Sequence, residues 1–261
     1  QILLQVAKFT ERVLGHVQLF SHPTFHPTTL ERTIRIGGVD NAIYSFIRPA
    51  LRGLFQAAPK MALDLRPLAT DFLTSLKTGE LDLVFYPTLS VPDEFVTETI
   101  CTEALVWCAR RGHPLTELAV TRPLTEADLS AYRIIRVSLL GGARTKWEVD
   151  PKGPFTRTGD IPSKAEEGTA VWTTYFAAAA ALTSDSDFLT VLPLRLARDA
   201  ALSGLVTILG RCDGHETYEP HLIWHSARSG DPMLSWFRKE LIRAARSTEL
   251  MDDSLPLIRK V

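Results

Sequence analysis

Cysteine is scarce, with three in 261 residues: Cys101, Cys108 and Cys212. An odd, low number cannot build a disulfide framework, so the chain reads as one from a reducing compartment. Long hydrophobic runs are missing too. No apolar stretch approaches the ~18 residues a membrane span needs, and the longest candidate, Tyr175 to Leu182, is short and Ala-rich. Neither charge is in excess: 29 Lys and Arg stand against 30 Asp and Glu, a formal net charge of −1. That balance excludes a protein that lives on bulk attraction to nucleic acid or anionic lipid. The opening Gln1-Ile2-Leu3-Leu4 turns polar too soon for a secretory signal, and the missing initiator Met points to a piece of something longer. What is present is globular: 45% hydrophobic and 23% charged residues, enough for a large packed core. At about 150 residues per domain, one or two domains are expected.

The first twenty residues stand apart. Ile2, Val6, Phe9, Val13, His16 and Phe20 alternate steps of four and three, the seam of a heptad repeat, while Lys8, Glu11 and Arg12 lie off it. Residues 1–20 therefore read as a helix that wants a partner, either its own core or a second copy of itself. Pro23 and Pro27 close it within a short stiff linker, 21–31. From Arg32 a strand–helix–strand rhythm begins. Strands are expected at Thr33 to Val39, Met61 to Leu65 and Leu81 to Tyr86. Between them, one helix spans Ala42 to Ala58, and a second is capped by Thr70-Asp71 and ended by Gly79. Phe95 to Arg110 reads as one long strand, and then the rhythm restarts with strands at Arg133 to Val137, Phe155 to Ile161 and Phe188 to Leu192. Ser163 to Glu166 fits a capping box opening a helix toward Leu182. Asp231-Pro232 caps a last helix with Trp236, Phe237, Leu241 and Ile242 inward. Two βαβαβ halves imply an α/β chain of two Rossmann-like lobes with a cleft between them.

Catalytic signatures are absent: no G-x-S-x-G, no phosphate-binding G-x-x-x-x-G-K-[ST], no G-x-G-x-x-G after a strand. Gly37-Gly38 and Gly141-Gly142 read as tight turns. Cys212, His215, His221 and His225 have zinc-ligand chemistry, but on a strand positions 221 and 225 lie about 13 Å apart, too far to share one ion. No metal and no cofactor is expected. Polar residues at strand ends are the stronger signal. Asp40 and Asn41, the chain's single asparagine, follow the first strand, and Thr70 opens the second helix. Ser138 ends the first strand of the second lobe, and Thr173, Thr174 and Tyr175 fall in its later crossover. Helix N-termini at such positions could hold a small carboxylate without a lysine. The plainer reading of each residue is a helix cap, and of Tyr175 a core aromatic.

Together these residues resemble the effector domain of LysR-type transcriptional regulators. The resemblance is carried by Phe25-His26-Pro27 before Glu31 to Ile36, Ala57-Ala58-Pro59, Arg66-Pro67, Gly79 to Leu83, Arg111 to Leu115, Leu124 to Tyr132, and Ser186 to Pro193 with Arg195-Leu196-Ala197. Trp224-His225, Asp231-Pro232 and Trp236-Phe237-Arg238 look like the branch of nodulation and aromatic-degradation regulators. The match runs from Arg32 to Arg246. It implies a fold like the type 2 periplasmic binding proteins, preceded by a dimerising linker helix at Ile2, Val6, Phe9, Val13 and Phe20. Lobe one would comprise 32–104 and 226–250, lobe two 105–225, and a C-terminal tail 251–261. The strands at Phe95 to Arg110 and Tyr218 to Ser226 would cross between lobes.

The resemblance further implies a cytoplasmic transcription regulator, not an enzyme, that binds a small organic or aromatic acid between its lobes. The candidate effector residues are Asp40, Asn41, Ala69, Thr70, Tyr86, Ser138, Thr174 and Tyr175, the last standing where relatives carry a pocket histidine. Its partners would be the effector, further copies of itself as dimer or tetramer, promoter DNA through a winged helix-turn-helix upstream of this chain, and RNA polymerase. No membrane contact is implied. Two rivals stay open: a periplasmic-type solute-binding protein of the same fold, and a two-lobed α/β transferase.

Overall fold

The computed structural model describes residues 25–87, 91–139, 168–212, 217–247 and 256–258. The heptad positions Ile2, Val6, Phe9, Val13 and Phe20 lie outside them, as do the strand expected at Phe155 to Ile161 and the capping box at Ser163. The described strands are β1 (Thr33–Gly38), β2 (Ala62–Pro67), β3 (Leu83–Tyr86), β4 (Phe95–Thr99), β5 (Glu103–Ala109), β6 (Ile134–Val137), β7 (Thr169–Thr173), β8 (Leu189–Pro193), β9 (Thr207–Cys212), β10 (Thr217–Tyr218), β11 (His221–His225) and β12 (Leu257–Ile258). They form two mixed sheets, ordered β2-β1-β3-β11-β4 and β12-β9-β5-β8-β6-β7, with β10 paired to β5. Each sheet and its helices make one α/β lobe.

In lobe one, helix α1 follows β1 and runs through Asp40–Ala42, Ile43–Ile47 and Arg48–Ala57. Its middle stretch is widened: the Arg48 N–H bonds back five residues to the Ile43 carbonyl. Pro49 supplies the cause, since it has no N–H and its ring crowds the preceding turn. Helix α2 (Phe72–Thr78) ends at Gly79, whose φ of 76° is the left-handed conformation glycine adopts without penalty. Helix α7 (Pro232–Ser247) opens where the Asp231 carboxylate accepts the Met233 and Leu234 N–H groups. Leu83 and Phe85 of β3 face the core shared with α1 and α7, whereas Val84 and Tyr86 face the other side. Burial on both faces is what a central strand between helical layers requires. Each such side chain contributes about 1.5–3 kcal/mol.

Several expectations need correction. The run Phe95 to Arg110 is two strands: β4 pairs with β11 in the first sheet and β5 with β8 and β9 in the second, so the chain changes lobe between Thr99 and Glu103. It returns at Glu219-Pro220, which puts β11 in lobe one, not in the 105–225 span. Residues Thr169–Thr173 are strand, not helix: Val171, Trp172 and Thr173 pair in parallel with β6. Helix α5 (Phe176–Ser184) starts only after them. Helix α2 starts at Phe72 behind Asp71, so Thr70 does not cap it. Gly37 and Gly38 are not a turn but part of β1; a Cβ at Gly37 would sit 2.9 Å from Leu81 Cδ1. The segment at Phe25 is docked, its ring 5.9 Å from that of Trp236. The tail also docks: Leu257–Ile258 adds a parallel strand to β9, where a Cβ at Gly210 would collide with the Pro256 carbonyl at 2.5 Å.

In lobe two, helices α3 (Pro114–Thr121), α4 (Glu126–Ser130) and α6 (Leu194–Leu202), together with β9, are elements the sequence reading passed over. Helix α3 opens on His113, whose Nδ1 accepts the Leu115 N–H at 3.1 Å while Nε2 lies 3.3 Å from the Asp187 carbonyl. A backbone donor on Nδ1 leaves the proton on Nε2, so the ring is neutral. Burial accordingly lowers its pKa below 6.5.

Candidate functional site

Strands β1, β2 and β3 run parallel, so their carboxyl ends share one edge of the first sheet. Strands β6, β7 and β8 do the same in the second. In folds of this kind ligands sit beyond such edges. Asp40, Asn41, Ala69, Thr70 and Tyr86 belong to the first edge, and Ser138, Thr174 and Tyr175 to the second.

Asp40 reaches the other lobe. Its Oδ1 accepts the Phe176 N–H at 3.0 Å and its Oδ2 the Ala177 N–H at 2.7 Å, while Oδ1 also takes the N–H of Asn41. Helix α5 needs that help, because Tyr175 at its N-cap supplies no side-chain bond of its own. Asn41 is buried in the same seam. Its amide donates to the Tyr218 hydroxyl at 3.1 Å, and its carbonyl accepts from Ser45 Oγ at 2.9 Å. Burial, reinforced by the nearby Glu103 carboxylate, pushes the Tyr218 phenol well above its usual range. The proton therefore stays on the hydroxyl, which can donate onward.

Beside this seam lies a buried ion pair. Arg195 Nε donates to Glu103 Oε2 at 2.7 Å, the Arg195 backbone N–H donates to Oε1 at 3.1 Å, and a guanidinium nitrogen donates to the Ala245 carbonyl of α7 at 2.8 Å. It thus joins α6 of lobe two to the last helix of lobe one. Burial raises the Glu103 pKa against the opposing pull of Arg195. A third contact, Arg48 to Asp199, links α1 to α6 at the surface, with side chains 57% and 35% exposed. Apolar side chains follow the same seam: Phe72, Leu76 and Tyr86 of lobe one fall in one contiguous core with Val137, Phe176 and Leu192 of lobe two.

The other expected residues are placed as follows. Ser138 is buried, and its N–H donates to the Thr173 carbonyl. Tyr86 is buried with its ring 5.1 Å from that of Phe72. Ala69 and Thr70 are exposed between β2 and α2, Thr174 is half-buried, and the Tyr175 ring is 56% exposed, so it is not a core aromatic. Sequence reasoning missed Tyr218, Glu103, Arg195 and the Arg48–Asp199 pair. No local pattern in the sequence pairs Glu103 with Arg195, 92 residues away. Among the described residues no group of three or more His, Cys, Asp or Glu could hold a metal. Cys212 sits in the second sheet and His221 and His225 in the first, and His215 is outside the described residues. Burial pushes the Cys212 thiol up to about 12.

Comparison with known proteins fits this geometry. The chain is 26% identical over 236 residues to the HTH-type transcriptional regulator SyrM of Rhizobium meliloti, covering 89% of this chain and 68% of that protein. The regulatory domain of MexT, a transcriptional activator in Pseudomonas aeruginosa, superposes with a TM-score of 0.61 at 18% identity, covering 83% of this chain and 99% of that one. The regulatory domain of MetR, a LysR family regulator from N. meningitidis, does so at 0.60 and 12%, covering 83% and 94%. The family model of the LysR substrate-binding domain matches residues 28–246, and the chain belongs to that family of effector-binding domains of transcriptional regulators.

Proposed function

We propose that this domain senses a small molecule in the cleft between its lobes and passes its state on as a change in lobe arrangement. The supporting observation is the seam itself: the carboxyl edges of both sheets meet, with Asp40 and Asn41 on one side and Thr174, Tyr175 and the start of α5 on the other. A ligand there shifts lobe arrangement only through different affinities for the two arrangements. The sensor releases its ligand unchanged, works in the cytoplasm where promoter DNA lies, and influences RNA polymerase through DNA-bound copies. A thermal-shift screen of small polar and aromatic compounds tests this: a ligand at 100 times its Kd should stabilise the fold by about 2.7 kcal/mol. Chemical turnover of a stabilising compound would favour the transferase instead.

The same reading includes self-association. Strand β2 is one of the two edges of the first sheet, with Leu65 exposed on it, and Leu65 shares a crevice with Ile43 of α1. Open edges and exposed apolar side chains invite a second copy. Replacing Val6 and Val13 by Asp, or Leu65 by Asp, should move sedimentation toward smaller species. An unchanged mass would reject the dimerising role of the replaced positions.

A further inference from the structure

Asp40 is an acid at the place where the sequence led us to look for a ligand's acid. We propose that Asp40 is a specificity-determining residue of the cleft: its carboxylate fills the anion position at the start of α5, so the site takes neutral or cationic effectors and rejects carboxylates. The proposal rests on the reading of the cleft as the effector site and names the class of effector it admits.

Three observations carry it. The Phe176 and Ala177 N–H groups are engaged one on each Asp40 oxygen, the two-donor grip a ligand's carboxylate would use. Nothing else in the local chain does the job, since Tyr175 provides no cap. And among the described residues Asp40 is bonded by backbone N–H groups and pairs with no cation. Among the described residues the charge on Asp40 is thus balanced by backbone dipoles alone, and an incoming anion would be repelled by it. An acidic ligand must also compete with a group already tethered in place, whose effective concentration is of millimolar order or higher. A neutral or cationic ligand meets neither obstacle, and a cation gains from the uncompensated charge.

The test uses the whole chain with Asp40→Ala and Asp40→Asn, melted in sodium acetate, sodium chloride at equal ionic strength, or acetamide. Asp40→Ala vacates the space of one carboxyl group. It should melt below the wild type and be restored by acetate, saturably, but not by chloride or acetamide. Asp40→Asn keeps the space filled and should not be restored, and the wild type should not respond. Equal acetate stabilisation of wild type and Asp40→Ala, an Asp40→Ala melt like wild type, or no restoration would each overturn the proposal. Matched acid–amide pairs such as benzoate and benzamide, titrated into the wild type, read selectivity directly and need no variant to fold. The amide should bind about tenfold or more tighter, and an acid that binds as well or better overturns the proposal. If no member of any pair binds, the cleft reading fails, while the acetate response still decides whether Asp40 fills an anion position.

Discussion

The lobes of this molecule are joined in two different ways. Where the chain crosses between them an ion pair is buried: Glu103 and Arg195 are 2% and 8% exposed and Arg195 holds the Ala245 carbonyl, while the exposed Arg246 holds the carbonyls of Thr99 and Ile100 at the crossing itself. Toward solvent the contacts are lighter. Asp40 grips two backbone amides, and Arg48 meets Asp199 at the surface. Breaking a buried pair leaves a charge without water or partner, whereas breaking the lighter contacts lets both sides hydrate. On the function proposed above, the first set would act as a pivot and the second as the part a ligand biases.

The difference can be broken at either end. Arg195→Ala leaves Glu103 buried and unpaired, and urea unfolding should show a loss of about 3–5 kcal/mol. Asp40→Ala removes a cap, and the same assay should show about 1–2 kcal/mol. Because the folded state holds His113 neutral, with its pKa lowered, the unfolded chain binds the extra proton more readily. Stability is full above the unfolded value near 6.5 and should fall as pH drops through it. His113→Asn, which keeps an N-cap without a titrating ring, should flatten that fall between pH 7.5 and 5.5; His221, also lowered by burial, sets what is left. The smallest effect is expected at Arg48→Ala, under about 1 kcal/mol, because the pair lies at the surface with Arg48 more than half exposed.

What was legible in the sequence follows the range of the forces involved. Helix α7 could be read from the Asp231-Pro232 start and an apolar stripe, and the end of α2 from Gly79, because caps and periodicity act within a few residues. The break between β4 and β5 could not be read. The apolar and β-branched run continues across it, and only pairing with β11 on one side and β8 on the other divides it. The stripe of α1 was legible as a helix but not as two faces: Phe46, Ile47 and Leu54 are buried while Ile43, Leu51 and Phe55 are exposed. At the candidate site, Asp40 and Asn41 stood out as polar strand ends. Their partners did not, since backbone N–H groups carry no side-chain signal and Tyr218 lies 177 residues from Asn41. Glu103 and Arg195, 92 residues apart, are invisible to any local pattern.

The claim that the cleft is clasped by Asp40 is tested most directly by hydrogen exchange at two amides. Phe176 and Ala177 open a helix, where N–H groups have no intrahelical partner and would exchange at the rate of an open chain. With Asp40 bonded to both, they should exchange as slowly as amides inside α5 in the wild type and lose that protection in Asp40→Ala. Unprotected Phe176 and Ala177 amides in the wild type would contradict the account.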